Sequence, residues 1–522
     1  MNIRIVLISK LIRKRKRSKL RAINKGYRQL KNEGKLDFLM QLKNTLSRTK
    51  IESVSFNVLS RQGDFDDELS IRQFFTRKFL GLLFNKSVLY SIGTNTPLKH
   101  PLPKEWRDVL IVQGVSINNF SCAVLWHAYG FIFWGYGALK GFNSIRLLLK
   151  KQTPIGKYVY FDGLNSDNIS TNSDSYNIVN WYLQWKGRAS EVGVICHSAS
   201  VTHDFRLSKV AIVKTDGLPR LKSFKLFKYT VFIIYRSFYD LLRLPFKPIY
   251  GLLLEDFIKL KRIELADDID LAKDYLFHNS SPFYRPIWTY LAEERGARLL
   301  FYFYSTNVEM FKKKETYPMQ NPWHLISWPH YLVWDNFQTN FVKEFDLHNS
   351  TIEEVGPIWF SSNDINVDAP LNSIAVFDVS PTRPTRYALL GCDQEYYVAD
   401  IANQFLSDVQ FILYRNSINM TYKMKRINKF IHKRYTRKIK QLSMKSNFIM
   451  IDPSVDALQI IKKSKACISM PFTSTAITAK LEGKPSVYYD PSGVICKDDR
   501  AAHGIPVLSN INELQEWVKK FK

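Results

Sequence analysis

The sequence predicts an α/β protein built from two Rossmann-like domains that face a cleft. Three observations carry that prediction. From residue 352 onward, short apolar runs alternate with stretches of helical spacing, the pattern of a parallel sheet covered on both faces. Residues 157–345 give pieces of the same kind. The chain's 522 residues are enough for two or three sizeable cores.

The second half reads most regularly. SIAVFDVS (373–380) is a buried strand, and DQEYYVADIANQFLSDV has helical spacing. QFILYR reads as the next strand and KRINKFIHKRYTRKIKQL as a basic helix. NFIMIDP is a strand; SVDALQIIKKS is a helix with Asp452 placed to cap it and Pro453 at its first position. KACISM, KPSVYYDP and IPVLS are strands, and TSTAITAKLEG is a helix. The last helix, NINELQEWVKKF, opens with Asn510 and Glu513 at capping-box spacing.

In the first half, KYVYFDGL and EVGVICHS read as strands. WTYLAEERGARLLFYFYSTN reads as helix, turn at Gly296 and strand; HYLVWDNFQTNFVKEF reads as strand and helix. IEEVGPIWF then leads into the second domain, with a hinge near Val355-Gly356-Pro357. The expected division is a basic segment over 1–50, a first domain over 51–355 and a second over 356–522. No internal repeat or low-complexity tract is present.

Composition narrows the class. Hydrophobic residues make up 45% and aromatics 14%, which excludes a disordered chain. Five scattered cysteines form no CxxC or Cys/His cluster, so reduced thiols in a cytoplasmic setting are expected, without zinc or a disulfide framework. The net charge of +28 suits a polyanionic partner. No nucleic-acid-reading motif accompanies it, so the expected partner is an anionic membrane surface rather than RNA or DNA. The charge is densest at RKRKR (13–17), in a basic amphipathic N-terminus that lacks the length and cleavage site of a secretory signal. Residues 109–139 carry no Asp, Glu, Lys or Arg, yet their glycines, His127 and dispersed aromatics suit buried core or an interfacial helix better than a membrane span. Residues 221–254 mix aromatics with spaced Lys and Arg, as an interfacial helix or a packed amphipathic one would.

The most informative stretch is SMPFTSTAITAKLEGKPSVYYDPSG (469–493). In a parallel sheet, ligands bind at the carboxyl ends of strands. Here CISM ends a strand, Pro471 and Phe472 make the turn, and Thr473, Ser474 and Thr475 open a helix. Backbone N–H groups are unpaired there and the dipole end is positive, so the run reads as a phosphate site; the alternative is that one hydroxyl merely caps the helix. Lys423, Lys425 and Arg426, just beyond the predicted strand QFILYR, add fixed cations for a diphosphate or sugar-phosphate. Tyr488 or Tyr489 is placed to stack on a base and Asp490 to take a sugar hydroxyl; a tyrosine in such a run is equally well explained as core.

These residues resemble the PFTS-motif polysaccharide (surface carbohydrate) biosynthesis proteins. The PFTST segment carries the resemblance. KMKR, IDPSVDALQIIKKSKACIS, DDRAAHGIPVLSNINELQEW, YLAEERGARLLFYFYSTN and HYLVWDNFQ support it, so that it covers most of the chain from about residue 109. The resemblance implies a GT-B glycosyltransferase of bacterial O-antigen or capsule synthesis, and the basic charge adds the expectation of a peripheral place on the inner face of the cytoplasmic membrane. A nucleotide-sugar donor would sit on the second domain, and a lipid-linked or glycan acceptor on the first. It implies no cofactor, and the similarity of Thr473-Ser474-Thr475 to a hydroxyl pair in bacterial sialyltransferases leaves a CMP-sugar among the donors. With no clear DxD motif, transfer is expected to be metal-independent. An inverting transfer also needs a base. Glu294 and Asp162 are the leading candidates, with His197 and Asp335 behind them. A polyol-phosphate transferase of teichoic-acid type and a non-catalytic assembly or binding protein stay open as alternatives.

Overall fold

The computed structural model describes residues 2–51, 67–150, 158–164, 178–198, 205–207, 210–279, 284–306, 309, 311–312, 315–317, 323–345, 350–358, 370, 372–390, 396–425 and 430–522; for 2–13 it gives the helix path alone. Two sheets organise it. The first contains β1 (Tyr158–Phe161), β2 (Val194–His197), β3 (Phe205–Leu207), β4 (Val210–Lys214), β5 (Asp274–His278), β6 (Arg298–Tyr302), β7 (His330–Val333) and β8 (Thr351–Glu354), in the order β3-β4-β2-β1-β5-β6-β7-β8. All its pairings are parallel except β3 with β4 at one edge.

The second sheet contains β9 (Ser373–Phe377), β10 (Asn419–Lys423), β11 (Phe448–Ile451), β12 (Ala466–Ser469), β13 (Ser486–Tyr489) and β14 (Val507–Leu508). It is wholly parallel, in the order β11-β10-β9-β12-β13-β14. Counted from β9, that order is third-second-first-fourth-fifth-sixth, the doubly wound arrangement in which the chain reverses direction between its first and fourth strands. Every residue of β9 is buried, as a central strand with both faces covered requires. The two Rossmann-like sheets therefore match the fold class expected from the sequence.

Several local expectations are corrected. QFILYR is not a strand. The 3.6-residue spacing of Phe405, Leu406, Val409, Ile412 and Leu413 continues through it, and the segment completes the helix Ala399–Arg415. The strand is the next segment, Asn419–Lys423, which keeps Lys423 at a carboxyl end. The basic helix begins only at Lys433, where the His432 ring accepts the Arg434 N–H. Asp452 does not cap a helix. Its carboxylate receives the Ser454 N–H (2.8 Å) and hydroxyl (2.5 Å), and Asp456 caps Ala457–Lys463 instead. Residues 351–354, the end of the expected first domain, form the outer strand β8 of the first sheet. The Asn510 cap is present: its side chain accepts from Asn512 and Glu513, while Glu513 accepts the Ser509 N–H (3.0 Å).

The N-terminal basic stretch lies in the helix Asn2–Asn32. From Ile23 onward it is part of the core, with Ile23, Tyr27 and Leu30 buried. It packs on the helix Leu82–Thr94, and both touch the helix Pro384–Leu390 of the second half. There Thr385 Oγ1 donates to Asn24 Oδ1 (2.8 Å) and Asn85 Nδ2 donates to the Leu389 carbonyl (2.7 Å). Residues 109–139 fall in the helices Lys104–Val112 and Asn119–Leu149; residues 221–254 fall in Ser223–Arg243 and Ile249–Leu265. Among the described residues, no helix is long and apolar enough to cross a membrane.

Candidate functional site

The reversal point of the second sheet lies between β9 and β12, and the PFTS turn sits on its carboxyl side. The turn is tied to the central strand by the Met470 N–H, donated to the Phe377 carbonyl (2.8 Å). Phe472 then adopts φ +60°. A bulky residue in the left-handed region costs about 1–3 kcal/mol, sustained only by surrounding packing. That packing is present: the Phe472 ring is buried edge-on against Phe311 (4.9 Å) and Tyr488 (5.8 Å). The Tyr397 hydroxyl donates to the Pro471 carbonyl (3.0 Å) and Tyr488 to the Thr473 carbonyl (2.9 Å).

The three hydroxyls divide their work. Thr473 Oγ1 is buried and donates back to the Met470 carbonyl (3.0 Å), closing the turn. Thr475 Oγ1 lies 3.0 Å from Ser469 Oγ and 3.2 Å from Thr473 Oγ1. Ser474 is half-buried, and among the described residues its hydroxyl has no protein partner. Of the helix's opening N–H groups, that of Ala476 returns to the Thr473 carbonyl (3.3 Å). Those of Ser474 and Thr475 have no preceding turn to bond and stand at the positive end of Ser474–Leu481.

Other predicted donor residues scatter. Lys425 is exposed and near enough for its charge to act on Asp378. Lys423 is half-buried at the end of β10, its ammonium pushed below the usual lysine range by burial, with Asp456 and Asp452 opposing. Arg426 lies outside the described residues. Tyr489 is core: its ring packs near Phe405 (6.0 Å) and its hydroxyl donates to Asp408 (2.7 Å). Asp490 is fully buried and occupied, accepting from the Tyr396 hydroxyl (2.8 Å), both Ser492 donors and the Ile495 N–H (2.8 Å). One residue was not singled out from the sequence. Asp378, the first residue after β9, is buried beside the turn and accepts from the Tyr435 (2.7 Å) and Tyr422 (3.1 Å) hydroxyls.

The first sheet reverses between β1 and β5, and at its carboxyl edge opens a cavity of about 790 Å³. Asp162 and His278, the residues that follow and end these two strands, both line it. Gly163 (φ +69°) is required there, since a Cβ at that position would overlap the His278 ring. Its N–H is fixed by Ser198 Oγ (2.7 Å). Burial pushes the His278 imidazole below its ordinary value while the Asp162 charge opposes. Glu294 is not brought to this cavity. It ends the helix Ile287–Glu294 that leads into β6, exposed at the opposite, amino edge of the sheet. His197 is fully buried at the end of β2, and Asp335 caps the helix Asn336–Lys343.

The carboxyl edges of the two sheets meet. Asp335, just beyond β7, lies 2.7 Å from His503 Nδ1. Downstream of β6, Phe311 packs on the PFTS turn, and Glu309 accepts from Arg500 Nε (2.6 Å). Arg500 also forks onto Glu344.

Two Rossmann-like domains whose strand carboxyl ends face each other define a GT-B-like architecture. The family model described as "Polysaccharide biosynthesis PFTS motif protein" matches residues 229–518, more than half of the sequence, and the chain belongs to that family. Among solved structures it is similar to a Staphylococcus aureus MnaA–UDP co-structure (9% identity, TM-score 0.36, 70% of this chain and 88% of that one). It is also similar to Medicago truncatula UGT71G1 complexed with UDP-glucose (8%, TM-score 0.36, 70% and 90%). A third is the Methanocaldococcus jannaschii UDP-GlcNAc 2-epimerase in complex with UDP-GlcNAc and UDP (11%, TM-score 0.34, 70% and 92%). No curated protein matches the chain.

Proposed function

We propose that the protein is a glycosyltransferase of bacterial surface-polysaccharide synthesis of the O-antigen or capsule kind. It moves a sugar from a nucleotide-sugar to a lipid-linked or glycan acceptor at the inner face of the cytoplasmic membrane. The observation that carries this reading is the placement of the PFTS turn at the reversal point of the second sheet. The Ser474 hydroxyl, the Ser474 and Thr475 N–H groups and Lys425 receive the donor diphosphate; Arg426 joins them on sequence grounds. Hydroxyls, helix dipole and cations together offset the charge that develops on the departing phosphate, so the transfer runs without a metal ion or further cofactor. The acceptor occupies the cavity of the first sheet, where Asp162 or His278 takes the proton of the attacking hydroxyl.

Melting curves with CMP, CDP, UDP, GDP and dTDP test the donor half. The expected result is stabilisation by one nucleotide, which also names the donor class. Ser474→Ala is the cleaner substitution, because Thr473 closes the turn. Loss of one charge-assisted hydrogen bond weakens that nucleotide by roughly 10- to 100-fold with an unchanged melting point in its absence. Undiminished affinity in this variant removes the phosphate site from the turn. Transfer from a CDP-polyol, with none from any nucleotide-sugar, would reassign the protein to the polyol-phosphate class.

A further inference from the structure

The helix Asn119–Leu149 is apolar on nearly every side, and Ser223–Arg243 beside it carries aromatic and aliphatic residues between spaced cations. Their inner sides are accounted for. Gly130 and Gly141 let Asn119–Leu149 approach closely: a Cβ on Gly130 would come within 2.7 Å of Pro248, and one on Gly141 within 2.8 Å of Ile258. Trp134 Nε1 donates to the Ser237 carbonyl (2.8 Å) and Ser144 Oγ meets the Tyr229 hydroxyl (2.9 Å), so the two helices lie side by side. Their outer sides are bare. Ile132, Leu139 and Phe142 on one, and Phe227, Ile234 and Phe238 on the other, are each about half or more exposed. Soluble monomers rarely leave so many large apolar side chains on two neighbouring helices uncovered.

Charge identifies what covers it. The two helices contain six basic residues and one acidic residue, Asp240, which is buried against Arg236. Arg146 and Lys228 are exposed, and among the described residues neither has an ion pair. A second copy docked on this face would set like charges against each other. An anionic bilayer surface takes both components, aromatics at the acyl boundary and cations at the headgroups.

We infer that this two-helix face lies in the interface of an anionic membrane and delivers a phosphate-bearing lipid headgroup to the cavity behind it. The inference rests on the acceptor assignment proposed above. The inner sides of the same helices line the cavity through Lys140, Asn143, Ser144 and Tyr229. Three of the cavity's four acids are occupied: Asp216 by Arg262 (2.7 Å), Glu255 by Lys259 (2.8 Å) and Asp256 by the Tyr284 hydroxyl (2.6 Å); the fourth is Asp162, beside His278. Arg77, Lys78 and Lys140 face it without a close ion pair among the described residues, although the Glu255 charge acts on Lys78 and Lys140 and the Asp256 charge on Lys78, and they are the contacts assigned to the anion.

Vesicle flotation tests the face, with equal parts phosphatidylglycerol and phosphatidylcholine against phosphatidylcholine alone. The protein should float with the anionic vesicles. Combined Ile132→Ser, Leu139→Ser, Phe227→Ser and Phe238→Ser should lower partitioning by about 100-fold or more while leaving the melting point unchanged. Equal flotation of the variant overturns the inference. So does a wild-type dimer that ignores vesicles and becomes monomeric in the variant. For the cavity, decyl phosphate should raise the melting point of wild type but not of the Lys78→Glu, Lys140→Glu variant, and inorganic phosphate should do so less. Equal shifts in both proteins overturn the headgroup assignment. Nucleotide stabilisation is read separately on the serine variant. Vesicle binding without any nucleotide shift would fail the donor reading alone, and the reverse pattern would fail the membrane face alone.

Discussion

Asp378 shows how a single residue at the sheet reversal couples to solution conditions. Its carboxyl is buried, and burial pushes it up to about 6 despite the Tyr435 and Tyr422 hydroxyls and the Lys425 charge. The folded chain therefore keeps a proton that the unfolded chain releases at about pH 4. Between these values the native state binds more protons, so stability falls as pH rises from about 4 to 6 and is level for this group above that. The fall is on the order of 2 kcal/mol. Urea unfolding across that range should show the slope in wild type and a flatter one in Asp378→Asn; equal slopes would assign the effect to another group. The hydroxyl run beside this residue was legible, because Thr473-Ser474-Thr475 follow an apolar run at a helix start. The left-handed backbone of Phe472 was not, since it depends on Phe311, which lies 161 residues away in sequence and packs on the ring only in the folded state.

At the scale of elements, helix contacts are set by small residues. Gly26 of Asn2–Asn32 and Gly93 of Leu82–Thr94 face each other so closely that a Cβ on Gly93 would strike the Ala22 carbonyl oxygen. Gly93→Ala should destabilise the protein by about 1–3 kcal/mol through overpacking. Amide exchange should show lost protection concentrated in these two helices; loss spread evenly over both sheets would deny that the crossing is a local unit. Most strands were legible as short apolar runs, and Asn510 as a cap. β5 was not recognised, because DYLFH follows the acidic run ADDIDLAK and is short. Missing it hid His278 and with it half of the first-sheet site. QFILYR was misassigned because a strand and the buried end of a helix look alike over six residues.

At the scale of the whole molecule, the two sheets are joined by more than the connecting segment. Arg500 bridges Glu309 and Glu344, and Glu309 is 3% exposed. Burial pushes Glu309 up to about 7 even beside Arg500, so Arg500→Ala would leave a protonated carboxyl without its partner, a loss of about 1–3 kcal/mol that denaturant unfolding would register. The sequence indicated two domains and their order, but not this tie, because its partners are 156 and 191 residues apart.

The N-terminal helices also return across the molecule: Asn24 holds Thr385 and Asn85 holds the Leu389 carbonyl. Covalent continuity between the halves should therefore be dispensable. A chain cut at a protease site engineered between Ile358 and Pro370 should run as one species in gel filtration and separate only in denaturant. The two pieces, expressed apart, should reassemble by fragment complementation.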